Sequence, residues 1–216
     1  MEAWAIVVAA GSGVRFGRAK QYAELGDRRV LDLAVAGARR CCRGVVVVVP
    51  TADVVVPVAG ADAVVGGGAT RSASVRAGLA AVPGSADVIA VHDAARPLAT
   101  DAIWAAVLDA VRAGADGAVP GVPVSDTLKR LDGDAVVETL DRSCLVAVQT
   151  PQAFRAPILR AAHAGAGEAT DDAALVESLG GRVVVVPGDP HNLKLTTPAD
   201  LAFAQAVLNA RSGART

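Results

Sequence analysis

A buried strand that ends in glycines constrains this chain more than any other stretch. The apolar run Trp4 to Val8 passes directly into Ala9-Ala-Gly11-Ser-Gly13-Val-Arg15-Phe-Gly17-Arg-Ala-Lys20. A short apolar run without polar alternation reads as a strand covered on both faces, as in a parallel sheet. Glycines at 11, 13 and 17 let backbone N–H groups approach a ligand closely, and Arg15 and Lys20 add fixed positive charge. Amides and cations gathered at the end of a first strand describe a phosphate-binding turn; a plain strand-to-helix turn is the simpler alternative. The turn is not a Walker A loop, because Gln21 follows Lys20 where Ser or Thr is required. It fits the dinucleotide fingerprint poorly, since its third glycine is displaced to 17 and the next strand, Val45 to Val49, ends in Pro50 rather than an acid.

The rest of the chain alternates Val-rich strand patterns with Ala- and Leu-rich helical ones. Val30 to Arg40 has helical spacing with Leu31, Val35 and Ala38 on one face, and Val45 to Val49 and Ala63 to Val65 read as strands. Thr70 is placed to cap a helix running through Leu79, and Thr100 or Asp101 to cap one running to about Ala113. Val88 to Val91, Ala118 to Pro120 and Val183 to Val186 are further strands, and Thr197-Pro198 opens a last helix. This alternation predicts an α/β fold, an open, mostly parallel twisted sheet with flanking helices. A chain of 216 residues suits one domain.

One segment breaks the rhythm. Between Val124 and Val148 two β-like runs flank Asp132-Gly133-Asp134, a hairpin signal. A lone ribbon is marginal in water, so the arm is expected to pack on another copy of the chain, the alternative being a solvated excursion or an extra edge pair.

Charge and composition remove several classes. A formal net charge of −1 provides no basic field for nucleic acid. Hydrophobic residues make up 52%, but no run reaches the roughly 18 apolar residues of a membrane span. The first strand pattern begins at once, so no signal peptide is expected, and three cysteines, two of them the neighbours Cys41 and Cys42, are not expected to form a secreted disulfide framework. A reduced cytoplasm is the expected location.

In open α/β sheets ligands gather outside the carboxyl ends of the strands. The polar residues that stand out fall at three such ends: Gly11 to Lys20, Gly66 to Ser74, and Asp93 to Arg96. Gly66 to Thr70 is expected to present backbone donors at a helix N-terminus. Asp93 is a candidate for a metal ion or a ribose hydroxyl, or for capping a neighbouring helix. Zinc-type spacings, Gly-x-Ser-x-Gly and HExxH are absent, and His92, His163 and His191 read as structural, His163 on a helix surface. Phosphate clamps without an evident base suit a nucleophile that arrives ionised, as a phosphate monoester does with its second pKa of about 6. Its attack on a nucleotide phosphate needs positioning and charge neutralisation above all.

The series Ala9-Ala-Gly-Ser-Gly-Val-Arg15, Lys20-Gln21, Val91-His-Asp-Ala-Ala-Arg96-Pro97, Asp126-Thr127-Leu-Lys-Arg, Thr139-Leu-Asp-Arg142, Gln149-Thr150-Pro151-Gln152 and Asn192-Leu-Lys194 resembles the 2-C-methyl-D-erythritol 4-phosphate cytidylyltransferase family over residues 4 to about 208. The resemblance implies a Rossmann-like nucleotidyltransferase fold and a cytosolic homodimer. It further implies that, with Mg²⁺, CTP and methylerythritol phosphate become a cytidine diphosphate product and pyrophosphate in non-mevalonate isoprenoid synthesis.

Carried over, Arg15 and Lys20 would neutralise the nucleotide phosphates and transition state, and Lys194 would complete the clamp. Ala10, Gly11, Ser12 and Gly13 would cradle the triphosphate and cytosine, while Gly67, Gly68 and Ser74 read base and ribose. Asp93 would lie near metal, ribose and sugar phosphate. Arg96, Thr127, Arg142, Thr150 and Thr170 would belong to the sugar-phosphate site, walled in part by the partner's hairpin. Three features depart from the family pattern. Ala19 stands where Pro is common, the Arg15 to Lys20 spacing is short, and Ala69 replaces a frequent Asp. A cytidylyltransferase for another polyol phosphate, such as ribitol 5-phosphate, is the alternative.

Overall fold

The computed structural model describes residues 1–11, 20–165 and 167–213. In chain order the elements begin with β1 (Ala3–Val8), the short pair β2 (Glu24–Leu25) and β3 (Arg28–Arg29), α1 (Val30–Cys41), β4 (Gly44–Val49), β5 (Ala63–Gly66) and α2 (Arg71–Ala81). Then follow β6 (Val88–Asp93), α3 (Asp101–Arg112), β7 (Gly117–Pro123), a hairpin of β8 (Lys129–Asp132) and β9 (Ala135–Thr139), β10 (Val146–Val148) and β11 (Gln152–Arg155). The chain closes with α4 (Ala156–Ala162), α5 (Asp172–Ser178), β12 (Val183–Pro187) and α6 (Pro198–Gly213).

Among the described residues eight strands form one sheet in the order β10-β7-β11-β6-β1-β4-β5, with β12 also paired to β7. β1, β4, β5 and β6 pair in parallel, as do β7 and β12. β11 runs antiparallel to both β6 and β7, and β10 antiparallel to β7. The expected mostly parallel α/β sheet is therefore present.

Its strands are apolar throughout because both faces are covered. Alternate residues divide between two cores, as the period of two requires. Ala5, Val7, Val45, Val47, Val88 and Ala90 pack under α1 and α3 with Trp104, while Ile6, Val46, Val48, Ile89 and Val91 pack on the opposite face with Val75, Leu79, Phe154 and Leu159. On α1, Leu31, Ala34, Val35 and Ala38 recur at helical spacing and are all buried. Among the described residues, threonines cap the starts of α2, α3 and α6. Thr70 Oγ1 accepts from the Ala73 N–H at 3.0 Å, Thr100 Oγ1 from Ile103 at 3.4 Å, and Thr197 Oγ1 from Asp200 at 3.3 Å. A third small core, with Leu25, Val30, Leu98, Leu195 and Ala204, fastens α6 beside the sheet's carboxyl edge.

The hairpin forms where Asp132-Gly133-Asp134 predicts it. Asp132 pairs with Ala135, leaving Gly133 and Asp134 as the turn, and Gly133 takes a φ of +61° that glycine adopts without strain. All residues of β8 and β9 are exposed, including Leu131, Val136 and Val137. The second limb does not stay in the arm as far as Val148, because Val146–Val148 returns to the main sheet as β10.

Gly78 tests how tightly α2 seats on this sheet. A Cβ there would lie 2.5 Å from Ile6 Cγ2 and 3.1 Å from Val48 Cγ2. Helix propensity favours Ala over Gly by about 1 kcal/mol, whereas overpacking costs about 1–3 kcal/mol. Gly78→Ala should therefore lower Tm in a thermal melt by several degrees, at about 2–4 °C per kcal/mol for a chain of this size. A raised Tm would show that the contact yields without cost.

Candidate active site

The carboxyl ends of β1, β5 and β6 open into a cavity of about 370 Å³ lined by Ala10, Gly11, Lys20, Gly68, Arg71 and Asp93 among others. A second cavity of about 210 Å³ adjoins it, lined by Arg96, Gln149, Thr150, Gln152, Thr170 and Asp171 among others. Arg71, Asp93 and Lys194 line both.

Asp93, the last residue of β6, sits between two cations. Lys194 Nζ donates to Oδ2 at 2.6 Å and Arg71 Nε to Oδ1 at 3.2 Å. Burial alone would raise the Asp93 pKa, but the charges of Arg71 and Lys194, with the Lys194 hydrogen bond, outweigh it and hold the carboxyl well below the usual range. Arg71 is held in turn by Asp172, whose Oδ2 lies 2.8 Å from its Nη1. Burial opposes the Arg71 charge, yet Asp172 and Asp93 together raise its pKa. Asp172 is fully buried and its Oδ1 lies 2.9 Å from His163 Nε2. A continuous chain of polar contacts thus runs Lys194, Asp93, Arg71, Asp172, His163.

Behind Asp93 lies a second, uncharged network. The Asp93 N–H donates to Thr150 Oγ1 at 3.0 Å, Thr150 Oγ1 is 3.0 Å from His92 Nδ1, and His92 Nε2 is 3.1 Å from the Arg96 carbonyl. A carbonyl only accepts, so Nε2 carries the proton, and neutral His92 therefore accepts from the Thr150 hydroxyl at Nδ1. Burial, only partly offset by the Asp93 charge, lowers the His92 pKa to about 4. Asn192 extends the network, its Nδ2 donating to the Thr150 carbonyl at 2.9 Å and its own carbonyl accepting from Arg96 Nη1 at 2.7 Å. The strand end, the Arg96 turn and the segment carrying Lys194 are tied into one body.

These cavities bring together Ala10, Gly11, Lys20, Gly68, Ser74, Asp93, Arg96, Thr150, Thr170 and Lys194 of the residues expected from sequence. Ser12, Gly13 and Arg15 lie outside the described residues. Lys20 Nζ donates to the Leu195 carbonyl at 2.9 Å. Gly67 stands just behind the first cavity, where a Cβ would meet Ala10 Cβ at 2.4 Å and Ser74 Oγ at 2.8 Å. Thr127 and Arg142 are exposed at the base of the arm, where Arg142 Nη1 donates to the Ser125 carbonyl, and neither lines either cavity.

Two expectations need correction. The Gly67 and Gly68 amides are not open donors, since they reach the Val49 carbonyl at 2.8 Å and Ser74 Oγ at 3.2 Å. Here the glycines supply closeness rather than N–H groups. His163 is not on a helix surface: it is buried against Asp172. The sequence reading does not anticipate Arg71, Asp172 or the neutral role of His92. The signal it held for them was Thr170-Asp-Asp-Ala, where Asp171 caps α5 by accepting from the Ala174 N–H and Asp172 turns inward.

A cavity at the carboxyl edge of a mostly parallel sheet, lined by Gly11, Gly68 and the cations Lys20, Arg71 and Lys194 and continuous with a second polar cavity, suits a nucleotide-using group transferase of the α/β class. The family model for 2-C-methyl-D-erythritol 4-phosphate cytidylyltransferase matches residues 3–210. The chain belongs to that family. It is 45% identical to the 2-C-methyl-D-erythritol 4-phosphate cytidylyltransferase of Nocardia farcinica, covering 96% of this chain and 94% of that protein. It is 48% identical to the bifunctional enzyme IspD/IspF of Clavibacter michiganensis subsp. michiganensis, where 97% of this chain spans 55% of the relative. The crystal structure of the Thermus thermophilus cytidylyltransferase superposes with a TM-score of 0.82 at 38% identity, over 96% of this chain and 98% of that one. None of these relatives is named for ribitol phosphate.

The buried imidazole makes a pH prediction. The unfolded chain takes up the His92 proton near the ordinary value of about 6.5, the folded one only near 4. Its stabilising effect is fully present above about pH 6.5 and is lost as pH falls through that window; the depressed Asp93 carboxyl adds a further loss in stronger acid. Tm should decline from about pH 6.5 downward, and ¹⁵N imidazole spectra should show the Nε2–H tautomer of His92 unchanged from about pH 8 to about pH 5. A titration of His92 near its ordinary value would contradict the network.

Proposed function

We propose that this chain transfers the cytidylyl group of CTP to the phosphate of 2-C-methyl-D-erythritol 4-phosphate, releasing pyrophosphate, as a step of isoprenoid synthesis. The observation that carries the reading is the pair of cavities sharing Arg71, Asp93 and Lys194, so that groups bound in each meet over one charged junction. CTP takes the first cavity and the sugar phosphate the second. The acceptor phosphate, already ionised, attacks the α-phosphorus; a P–O bond forms, the bond to the β-phosphate oxygen breaks, and that electron pair leaves on pyrophosphate.

The chain's task is to bring two polyanions together. Lys20 exchanges its carbonyl partner for a phosphate oxygen, a stronger acceptor for an ammonium. Lys194 and Arg15 complete the charge, with Ala10 to Gly13 along the triphosphate and Gly67, Gly68 and Ser74 shaping the base and ribose end. On the acceptor side Arg96 Nε is buried without a hydrogen-bond partner among the described residues, a donor suited to an incoming anion. Thr170 and Thr150 line that wall. Thr127 and Arg142 act on the sugar phosphate across a dimer interface, with one copy's arm reaching the partner's cavity. The exposed Leu131, Val136 and Val137 give the arm an apolar surface for that contact.

Magnesium fits as an ion that arrives with the nucleotide. No group of three or more His, Cys, Asp or Glu side chains gathers among the described residues, but Asp93 offers one ionised carboxylate at the junction. Mg²⁺ characteristically takes one or two carboxylates, phosphate oxygens and water. Bound there, it would neutralise phosphate charge. No helix among the described residues is long and apolar enough to cross a membrane, and we place the enzyme in the cytoplasm.

Purified protein should release pyrophosphate from CTP and Mg²⁺ with methylerythritol phosphate and not with ribitol 5-phosphate; the reverse preference would overturn the assignment. Lys20→Ala should lower kcat by roughly 10²-fold or more, whereas Thr127→Ala or Arg142→Ala should chiefly raise KM for the sugar phosphate. Full kcat in Lys20→Ala would remove that residue from the clamp. Val136→Asp should shift sedimentation from dimer to monomer and raise the sugar-phosphate KM together; a wild-type monomer would refute the arm's role.

A further inference from the structure

Arg71 occupies an electrostatically unfavourable place. It is the first residue of α2, beside the positive end of the helix dipole, and the first turn contains no acid. Its side chain is largely buried, yet the residue lines both cavities and its guanidinium reaches Asp93, which lines both as well. Burying a cation there is tolerable because Asp172, itself fully buried, faces it at 2.8 Å and is fixed from behind by His163 at 2.9 Å. Its contact with Asp93 is longer, 3.2 Å and through Nε. A phosphate oxygen entering either cavity can therefore replace Asp93 on the guanidinium while Asp172 still holds Arg71 in place. Guanidinium is also the side chain whose fork can serve more than one anionic oxygen at once.

We propose that Arg71 is an anion-binding residue shared by the two cavities, contacting phosphate oxygens of both the nucleotide and the acceptor. In this arrangement Asp172, backed by His163, is the positioning residue that holds its guanidinium at their junction. The inference rests on the functional reading above and adds a cation to the clamp. An Arg71 that merely joined β6 to α5 would affect stability and leave substrate constants alone.

Steady-state kinetics on Arg71→Met, Arg71→Lys and Asp172→Asn tests this. Arg71→Met should raise KM for CTP and for the sugar phosphate and lower kcat, each by about tenfold or more, the loss of one charged hydrogen bond. Arg71→Lys, which keeps the charge and the fold but not the fork, should recover part of that loss. Asp172→Asn should act in the same direction more weakly, and adding it to Arg71→Met should cause no further change in kcat/KM, because it works through the guanidinium. Unchanged constants in folded Arg71→Lys and Arg71→Met, or a rise confined to one substrate, would overturn the proposal. Should the wild type release no pyrophosphate, the functional reading falls by itself. Calorimetric binding of CTP and of inorganic phosphate to wild type and Arg71→Lys then decides: weaker binding of both to the variant supports a shared anion site, and equal binding refutes it.

Discussion

The ion pairs of Asp93 are the interaction on which the rest of the site depends. A carboxylate at the end of a central strand cannot stay ionised in a buried setting without partners, and here it has Lys194 at 2.6 Å and Arg71 at 3.2 Å. Those partners come from distant parts of the chain, one from the start of α2 and the other from the segment before α6. Asp93 therefore draws three segments to one point, and that point is where the two cavities meet. Before substrate arrives the acid balances cations that would otherwise repel each other. In the proposed reaction phosphates take over these cations, whose charge is present and oriented beforehand.

The uncharged network behind Asp93 gives this arrangement its rigidity. Thr150, His92, the Arg96 carbonyl and Asn192 use their donors and acceptors in one direction only, which fixes the imidazole as neutral and the strand end in register with the Arg96 turn. It also gives Thr150 a positioning task, since its hydroxyl proton is directed at His92 rather than into the cavity. The division is physically sensible: Asp93, Lys194 and Arg71 line the cavities, and a neutral hydrogen-bonded network backs the strand end that carries Asp93.

Much of the fold could be read from the chain because its signals are local. Valine runs marked β4, β6 and β12, threonines marked the starts of α2, α3 and α6, and Asp132-Gly133-Asp134 marked the arm's turn. The three strand-end clusters were visible too, since a parallel sheet must bring such ends to one edge. The charged chain through Arg71 was harder to see. Nothing local marks Arg71 at a helix start as an ion-pair partner, and His163 at the end of α4 reads as a helix-surface side chain, until α4 and α5 pack and bring Asp172 beneath both. Nor does spacing reveal that the Gly67 and Gly68 amides turn inward, or that Val146–Val148 leaves the arm for the sheet, because each depends on which neighbour lies alongside.

A crystal structure with CTP, Mg²⁺ and a non-reacting acceptor analogue would show whether both substrates converge on the Asp93 junction. The α-phosphorus should lie at the border of the two cavities, with Lys194 and Arg71 on phosphate oxygens and the acceptor phosphate approaching from the side of Arg96. A nucleotide lodged away from Asp93, or an acceptor phosphate outside the second cavity, would contradict it.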